Sequence, residues 1–194
     1  MLKKSKYFFW SPCFHSKLSS TCPNYALDAI MMKMKPTILY IQESDASHDD
    51  YEKYIRLCQQ VRRTVFIEGQ GVSESIDFDG KDTSSSHLLL LLEGKAAGTL
   101  RIRKTEEGIK LERIAVLEAC RGKKLGQLLV RCALGLVCGR IYIHAQIRSA
   151  GFYEKLGFIT EDPTIYYEAD IPHKTMIWPE KTLGALPCNI TRLS

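Results

Sequence analysis

The stretch Ile114-Ala115-Val116-Leu117-Glu118-Ala119-Cys120-Arg121-Gly122-Lys123-Lys124-Leu125-Gly126 passes from an apolar strand pattern, through a basic turn, into an apolar helix pattern. A helix start carries unpaired backbone N–H groups and the positive end of the helix dipole, so it suits a diphosphate. Gly122 and Gly126 allow the main chain to approach a ligand closely, and Arg121, Lys123 and Lys124 add positive charge. The segment has no Gly-Lys-Ser/Thr and no Gly-x-Gly-x-x-Gly, so it is neither a Walker loop nor a dinucleotide fingerprint. Taken alone, it also fits a basic, solvated helix start.

Upstream, His87 to Leu92, Ala96 to Arg103 and Ile109 to Leu117 read as three strands joined by turns at Glu93-Gly94-Lys95 and Glu106-Glu107-Gly108, an antiparallel meander. Thr37 to Ile41 reads as a further strand. A helix to about Phe66 presents Tyr51, Tyr54, Ile55, Cys58, Val61 and Val65 on one face. Between them, Glu68 to Ser86 holds three glycines and an acidic cluster, a long loop of the functional kind. Downstream come a helix from Leu125 to Cys138, a strand from Arg140 to Gln146 and a short helix ended by Gly157. Ile165 to Ile177 then reads as one extended segment bent near Pro172. A strand-helix-strand unit of this length implies a parallel crossover. The fold class is therefore α/β, a mixed α+β sheet with antiparallel N-terminal strands followed by a parallel strand-helix-strand.

The composition, 45% apolar and 25% charged over 194 residues, is that of a globular chain. Its longest apolar run, Leu88 to Leu92, is far short of the ~18 residues of a membrane span. Of 27 basic residues, six lysines precede Pro36 against one acid, Asp28, leaving 21 of each sign beyond it. The net +5 thus belongs to the N-terminal segment, and the neutral body argues against a nucleic-acid surface. Residues 1–35 read as a disordered or mis-started extension, 36–180 as the domain and 181–194 as a C-terminal tail. The seven cysteines show no Cys-x-x-Cys and no zinc spacing, so no metal is expected and a reducing, cytoplasmic setting fits. Asp77-x-Asp79-Gly80-x-Asp82 is not an EF-hand, because its glycine falls at loop position four and Leu88 at twelve. These acids are expected to line an acceptor site or to solvate the loop.

At this point the chain resembles the GNAT superfamily of acetyl-CoA-dependent N-acetyltransferases, whose signature is Arg/Gln-x-x-Gly-x-Gly/Ala after a strand. Arg121 and Gly126 match, whereas Lys124 stands at the first motif glycine. Phe152-Tyr153-Glu154-Lys155-Leu156-Gly157-Phe158 matches the family's Phe-Tyr-x-x-x-Gly-Phe. The block Val61 to Val72, the acids 77–82 with His87, Gly98-Thr99-Leu100-Arg101, His144-Ala145-Gln146 and Ile171 to Met176 are similar to the bacterial YjcF/ElaA-like branch. The resemblance covers roughly residues 37–178.

The resemblance implies acetyl-CoA as co-substrate, no metal, and direct attack by an amine in a ternary complex. The acceptor would be a small amine or an exposed amino group; neither nucleic acid nor a membrane is a partner, and a homodimer is in keeping with the superfamily. Backbone groups of Ile114, Ala115 and Val116 would hold the pantetheine arm. Arg121, Gly122, Lys123, Lys124, Leu125 and Gly126 would hold the diphosphate, and Gln146 would touch the cofactor. Tyr153 is the expected proton donor to the departing thiolate. Glu112, on the strand four residues before Val116, is the candidate base through water. His87, Glu168 and His173 are alternatives near the amine, and His144 is expected to pack. The alternative reading is a non-catalytic CoA-binding or protein-interaction module on the same fold, suggested by Lys124.

Overall fold

Leu88 to Leu92 is apolar at successive positions because both faces of its strand are covered. The computed structural model describes residues 36–179 and 190–193. Its strands are β1 (Thr37–Ile41), β2 (Ser86–Leu92), β3 (Lys95–Thr105), β4 (Gly108–Val116), β5 (Ile141–Gln146), β6 (Ile159–Thr160), β7 (Tyr166–Glu168), β8 (Ile171–Trp178) and β9 (Ile190–Arg192). They form one sheet in the order β6-β8-β5-β4-β3-β2-β1-β9, with β7 paired to β8. The helices are α1 (Tyr51–Arg62), α2 (Glu74–Asp77), α3 (Leu125–Leu136) and α4 (Ala150–Leu156).

Side chains alternate along a strand, and the two cores divide accordingly. Ile38, Tyr40, Leu88 and Leu90 pack with Leu128, Leu129 and Cys132 of α3. Leu39, Ile41 and Leu89 pack with Tyr51, Tyr54, Ile55 and Cys58 of α1 on the other face. The expected apolar face is buried as read, from Tyr51 to Val61 on α1 and at Val65 in the π-helical turn Arg63–Glu68 that continues it. The meander β2-β3-β4 is antiparallel, and β4 to β5 is the parallel crossover expected across α3.

Two features depart from the sequence reading. Ile165 to Ile177 is a hairpin: β7 and β8 turn at Ala169 and Asp170, both with positive φ (50° and 59°), with Glu168 paired to Ile171. No glycine marks that turn, so the pattern pointed to Pro172, which lies inside β8. In addition, Ile190–Arg192 pairs in parallel with β1, so the sheet includes residues beyond 180. Residues 1–35, read as an extension, lie outside the described residues.

Candidate active site

β4 and β5 pair only at Ile109↔Ile141 and Lys110↔Tyr142, and then separate. The rest of β4 therefore has an edge without a strand partner, inside the sheet. The amide of Leu117 donates to the Ala97 carbonyl on the β3 side, and the Ala115 carbonyl lies 2.9 Å from where a Cβ on Gly98 would stand. By alternation, the peptide groups of Ile114 and Val116 face the gap, while that of Ala115 is turned to β3. Of the three residues expected along the pantetheine arm, Ile114 and Val116 thus turn their backbone groups toward the gap, where the Val116 carbonyl accepts from Arg121. The gap opens into a cleft of about 930 Å³ lined by residues of β4, α3, α4, β5 and the β7–β8 turn.

The separation is accompanied by a bulge. Register passes from Thr99↔Ala115 to Arg101↔Glu112, inserting one residue in β4, and Arg113 there has φ 53°. A left-handed conformation costs a residue with a Cβ about 1–2 kcal/mol. Arg113 is held in it by ion pairs to Asp77 (3.0 Å) and Asp79 (3.3 Å) and by donation to the Ile76 carbonyl (2.7 Å).

Those acids belong to a buried charge network. Arg62, 1% exposed, donates to Asp77 (2.9 Å) and Asp82 (2.7 Å). Arg101, also 1% exposed, donates to Asp79, Asp82 and Glu112 at 2.7–3.0 Å. The acids 77–82 therefore neither solvate their loop nor stand free to attract an amine. They tie the long loop to α1 and the sheet, in keeping with the rule that buried charges are paired.

The segment expected to hold the diphosphate folds as a turn and a helix start. Leu128 is the first amide of α3 to find an intrahelical carbonyl, that of Lys124 (3.1 Å), which leaves the N–H groups of Leu125, Gly126 and Gln127 at the cleft. Gly122 has φ 76° and Lys124 has φ 59°, the conformation a glycine would take at the motif position. At Gly126 a Cβ would lie 3.3 Å from Phe152 of α4, so this position is small because two helices meet there. Arg121 folds back to donate to the Val116 carbonyl (3.2 Å), and Lys123 to the Ala119 carbonyl (3.3 Å).

Tyr153 lines the cleft from α4, with its ring edge-on to Phe152 and Phe158 at 4.9 and 5.9 Å. Burial pushes its phenol above the ordinary range, so it stays protonated at neutral pH, as a proton donor must. Glu112 sits differently from expectation. Its side chain is 8% exposed and paired with Arg101 (2.9 Å) and Arg103 (2.7 Å). Burial alone would raise its pKa, but the Arg103 hydrogen bond and the charges of Arg101, Arg103 and Lys110 lower it. Glu112 lines the cleft, but a carboxylate held this way by two arginines is a poor proton acceptor.

His87 is buried and its Nε2 engages the Asp82 carbonyl at 2.9 Å, away from the cleft. Gln146 lines the cleft, but its amide donates to Gln70 (3.1 Å) and accepts from Arg148 (2.8 Å), which ties β5 to the end of the α1 segment. His173 uses Nδ1 to donate to the Ile171 carbonyl. His144 and Glu168, 24 residues apart in the chain, meet at 2.7 Å in the cleft. Sequence reasoning missed this pairing and the partners of Arg62, Arg101 and Arg113. The blocks containing Arg62 and Arg101 had a signal, an arginine inside an otherwise apolar helix or strand, but their partners had none.

A model described as an acetyltransferase (GNAT) domain matches residues 84–160. The Bacillus subtilis (strain 168) protein BSU40680 is 33% identical over 132 residues, 64% of this chain and 89% of that one. YjcF of the same strain, named an uncharacterized N-acetyltransferase, is 29% identical over 131 residues, 65% of this chain and 93% of its own. The crystal structure of Escherichia coli ElaA superposes with a TM-score of 0.64 at 29% identity, covering 72% of this chain and 97% of that one.

Proposed function

Because the chain belongs to the GNAT family of acetyltransferases, we propose that it moves an acetyl group from acetyl-CoA to a primary amine by direct attack in a ternary complex. The observation that carries this reading is the gap between β4 and β5, with the open first turn of α3 at one end. A pantetheine arm is an extended chain with amide groups, and the β4 edge at Ile114 and Val116, which no described strand pairs, is the complement it needs. The first turn of α3, with Lys124 beside it, offers N–H donors and positive charge to the diphosphate. Such a site would place the thioester near the β4 bulge.

Tyr153 would then give its proton to the sulfur as the C–S bond breaks. Direct transfer asks for little more than a neutral amine, a polarised carbonyl and this proton. Lys124 has φ 59°, a left-handed conformation that glycine adopts readily, which supports the reading that the loop keeps its turn despite the lysine.

Calorimetric titration with acetyl-CoA should show saturable binding, and thiol release over an amine panel should identify acceptors. Tyr153→Phe should lower kcat by about 100-fold with acetyl-CoA affinity little changed. Absence of any acetyl-CoA binding by the unaltered chain would refute the proposal.

A further inference from the structure

Amine attack needs a base, and the candidate read from the strand pattern is tied up by arginines. Asp77, Asp79 and Asp82 are occupied in the same way. His144 is placed otherwise. It lies on β5 two residues past Tyr142, the last residue paired with β4, and it lines the cleft. Its Nδ1 stands 2.7 Å from Glu168 Oε1 and 2.9 Å from Lys110 Nζ. Glu168 can only accept and Lys110 can only donate, so Nδ1 serves one of them, and the shorter contact is the one to Glu168. With Nδ1 carrying the proton for Glu168, the lone pair is left on Nε2.

Nε2 has no hydrogen-bond partner among the described residues and is not among the sealed polar atoms. The ring is held edge-on by Tyr166 (5.3 Å) and tilted to Tyr142 (5.7 Å). Glu168 is the last residue of β7, set there by a turn in which Ala169 and Asp170 both take positive φ. Strain in a turn beside a cleft is consistent with a side chain being aimed.

We propose that His144 is the base of the transfer, taking a proton from the acceptor amine at Nε2, with Glu168 as a positioning residue that holds the Nδ1–H tautomer. The proposal rests on the acetyl-transfer reading above. An acceptor ammonium gives one proton to Nε2, and the freed nitrogen pair forms the C–N bond to the thioester carbonyl. The C–S bond breaks with its electron pair going to sulfur, which takes the Tyr153 proton. The second surplus proton on nitrogen returns to the Tyr153 oxygen, and His144 releases its own proton to solvent. Glu168 is held ionised, down to about 2, chiefly by the His144 hydrogen bond against the opposing effect of burial, and so stays an acceptor for Nδ1–H.

The test compares cadaverine, protonated at assay pH, with trifluoroethylamine, already neutral there, on the full chain. His144→Gln should cut kcat/KM for cadaverine by about 100-fold or more, and for trifluoroethylamine by less than about tenfold. Acetyl-CoA affinity, which also reports folding, should stay within about twofold; His144→Asn is the second variant should Gln disturb β5. In the unaltered chain, cadaverine turnover should fall toward acid pH, and Glu168→Gln, by releasing the Nδ1–H tautomer, should lower kcat/KM for cadaverine more than for trifluoroethylamine. The groups facing His144 are Lys110 and Glu112 on β4, Tyr142 on β5, Tyr166 and Glu168 on β7 and His173 on β8. Equal losses on both amines, or an unaltered profile in His144→Gln, would overturn the role of His144. Failure of the unaltered chain to bind acetyl-CoA would instead overturn the transfer reading.

Discussion

Replacing Asp82 with Asn removes one negative charge from the centre of the buried network and almost nothing else. Asp82 Oδ1 accepts from Arg62 Nη1 at 2.7 Å and from Arg101 Nη1 at 2.9 Å, while Oδ2 accepts from Gln59 at 3.0 Å. Asn keeps the first oxygen, and a flip of the Gln59 amide restores the third contact, so the loss is electrostatic. Breaking a buried ion pair on one side costs about 3–5 kcal/mol. Here Arg62 retains Asp77 at 2.9 Å, and Arg101 retains Asp79 at 2.7 Å and Glu112 at 2.9 Å. The expected cost is therefore at the low end, about 3 kcal/mol. Against a total stability of about 5–15 kcal/mol, that lowers Tm by about 6–12 °C for a chain of this size.

Urea unfolding and thermal scans would measure this change, and its pH dependence is a second check. Burial would raise the pKa of Asp82, but the hydrogen bond from Gln59 and the Arg62 charge outweigh it, and the net shift is below 3.8. A lowered folded-state pKa contributes stability above the unfolded value, and that stability is lost as pH falls through the folded one. The gap between the two proteins should thus be constant near neutrality and close only below 3.8. A fall in Tm of less than about 2 °C would refute the reasoning, since only solvent-screened pairs contribute so little.

Three further outcomes follow from the same geometry. Glu112→Gln should lower Tm, at about 2–3 kcal/mol, while the folded enzyme keeps kcat within a few-fold; a large kcat loss at unchanged Tm would restore Glu112 as the base. Lys124→Gly should relieve the left-handed backbone and raise stability by about 0.5 kcal/mol in denaturation, while weakening acetyl-CoA binding in a salt-dependent way in calorimetry. Gly108→Ala should cost about 3 kcal/mol in urea unfolding, because φ is 132° and a Cβ would sit 2.4 Å from the Arg140 carbonyl. That carbonyl also accepts from Ile109 at the base of the gap, so acetyl-CoA affinity should fall with it.

The meander, the crossover and the helix start at Leu125 were legible because each rests on local chemistry. Apolar runs bounded by glycine turns make strands, and Gly122 with Gly126 beside an apolar helix marks the approach of a ligand. Tyr153 was legible by its place in a motif segment. The β7–β8 turn was not, since Ala169 and Asp170 carry no turn signal and are held left-handed by the pairing around them. The pairing of Glu112 with Arg101 and Arg103 was not legible, because a carboxylate on a strand looks the same whether it faces water or two arginines.

By itself, then, the sequence determined the meander and crossover, the apolar face of α1 and the basic helix start at Leu125. These depend on neighbours within a few residues and on the periodicity of burial. Only the tertiary structure decided which carboxylates are spent and which group is left to act. Arg62 meets Asp77 and Asp82, Arg101 meets Glu112, and Glu168 meets His144 across separations of 11–24 residues. The reactivity of an ionisable group is set by the charges and burial around it, and those neighbours arrive only when the sheet is assembled.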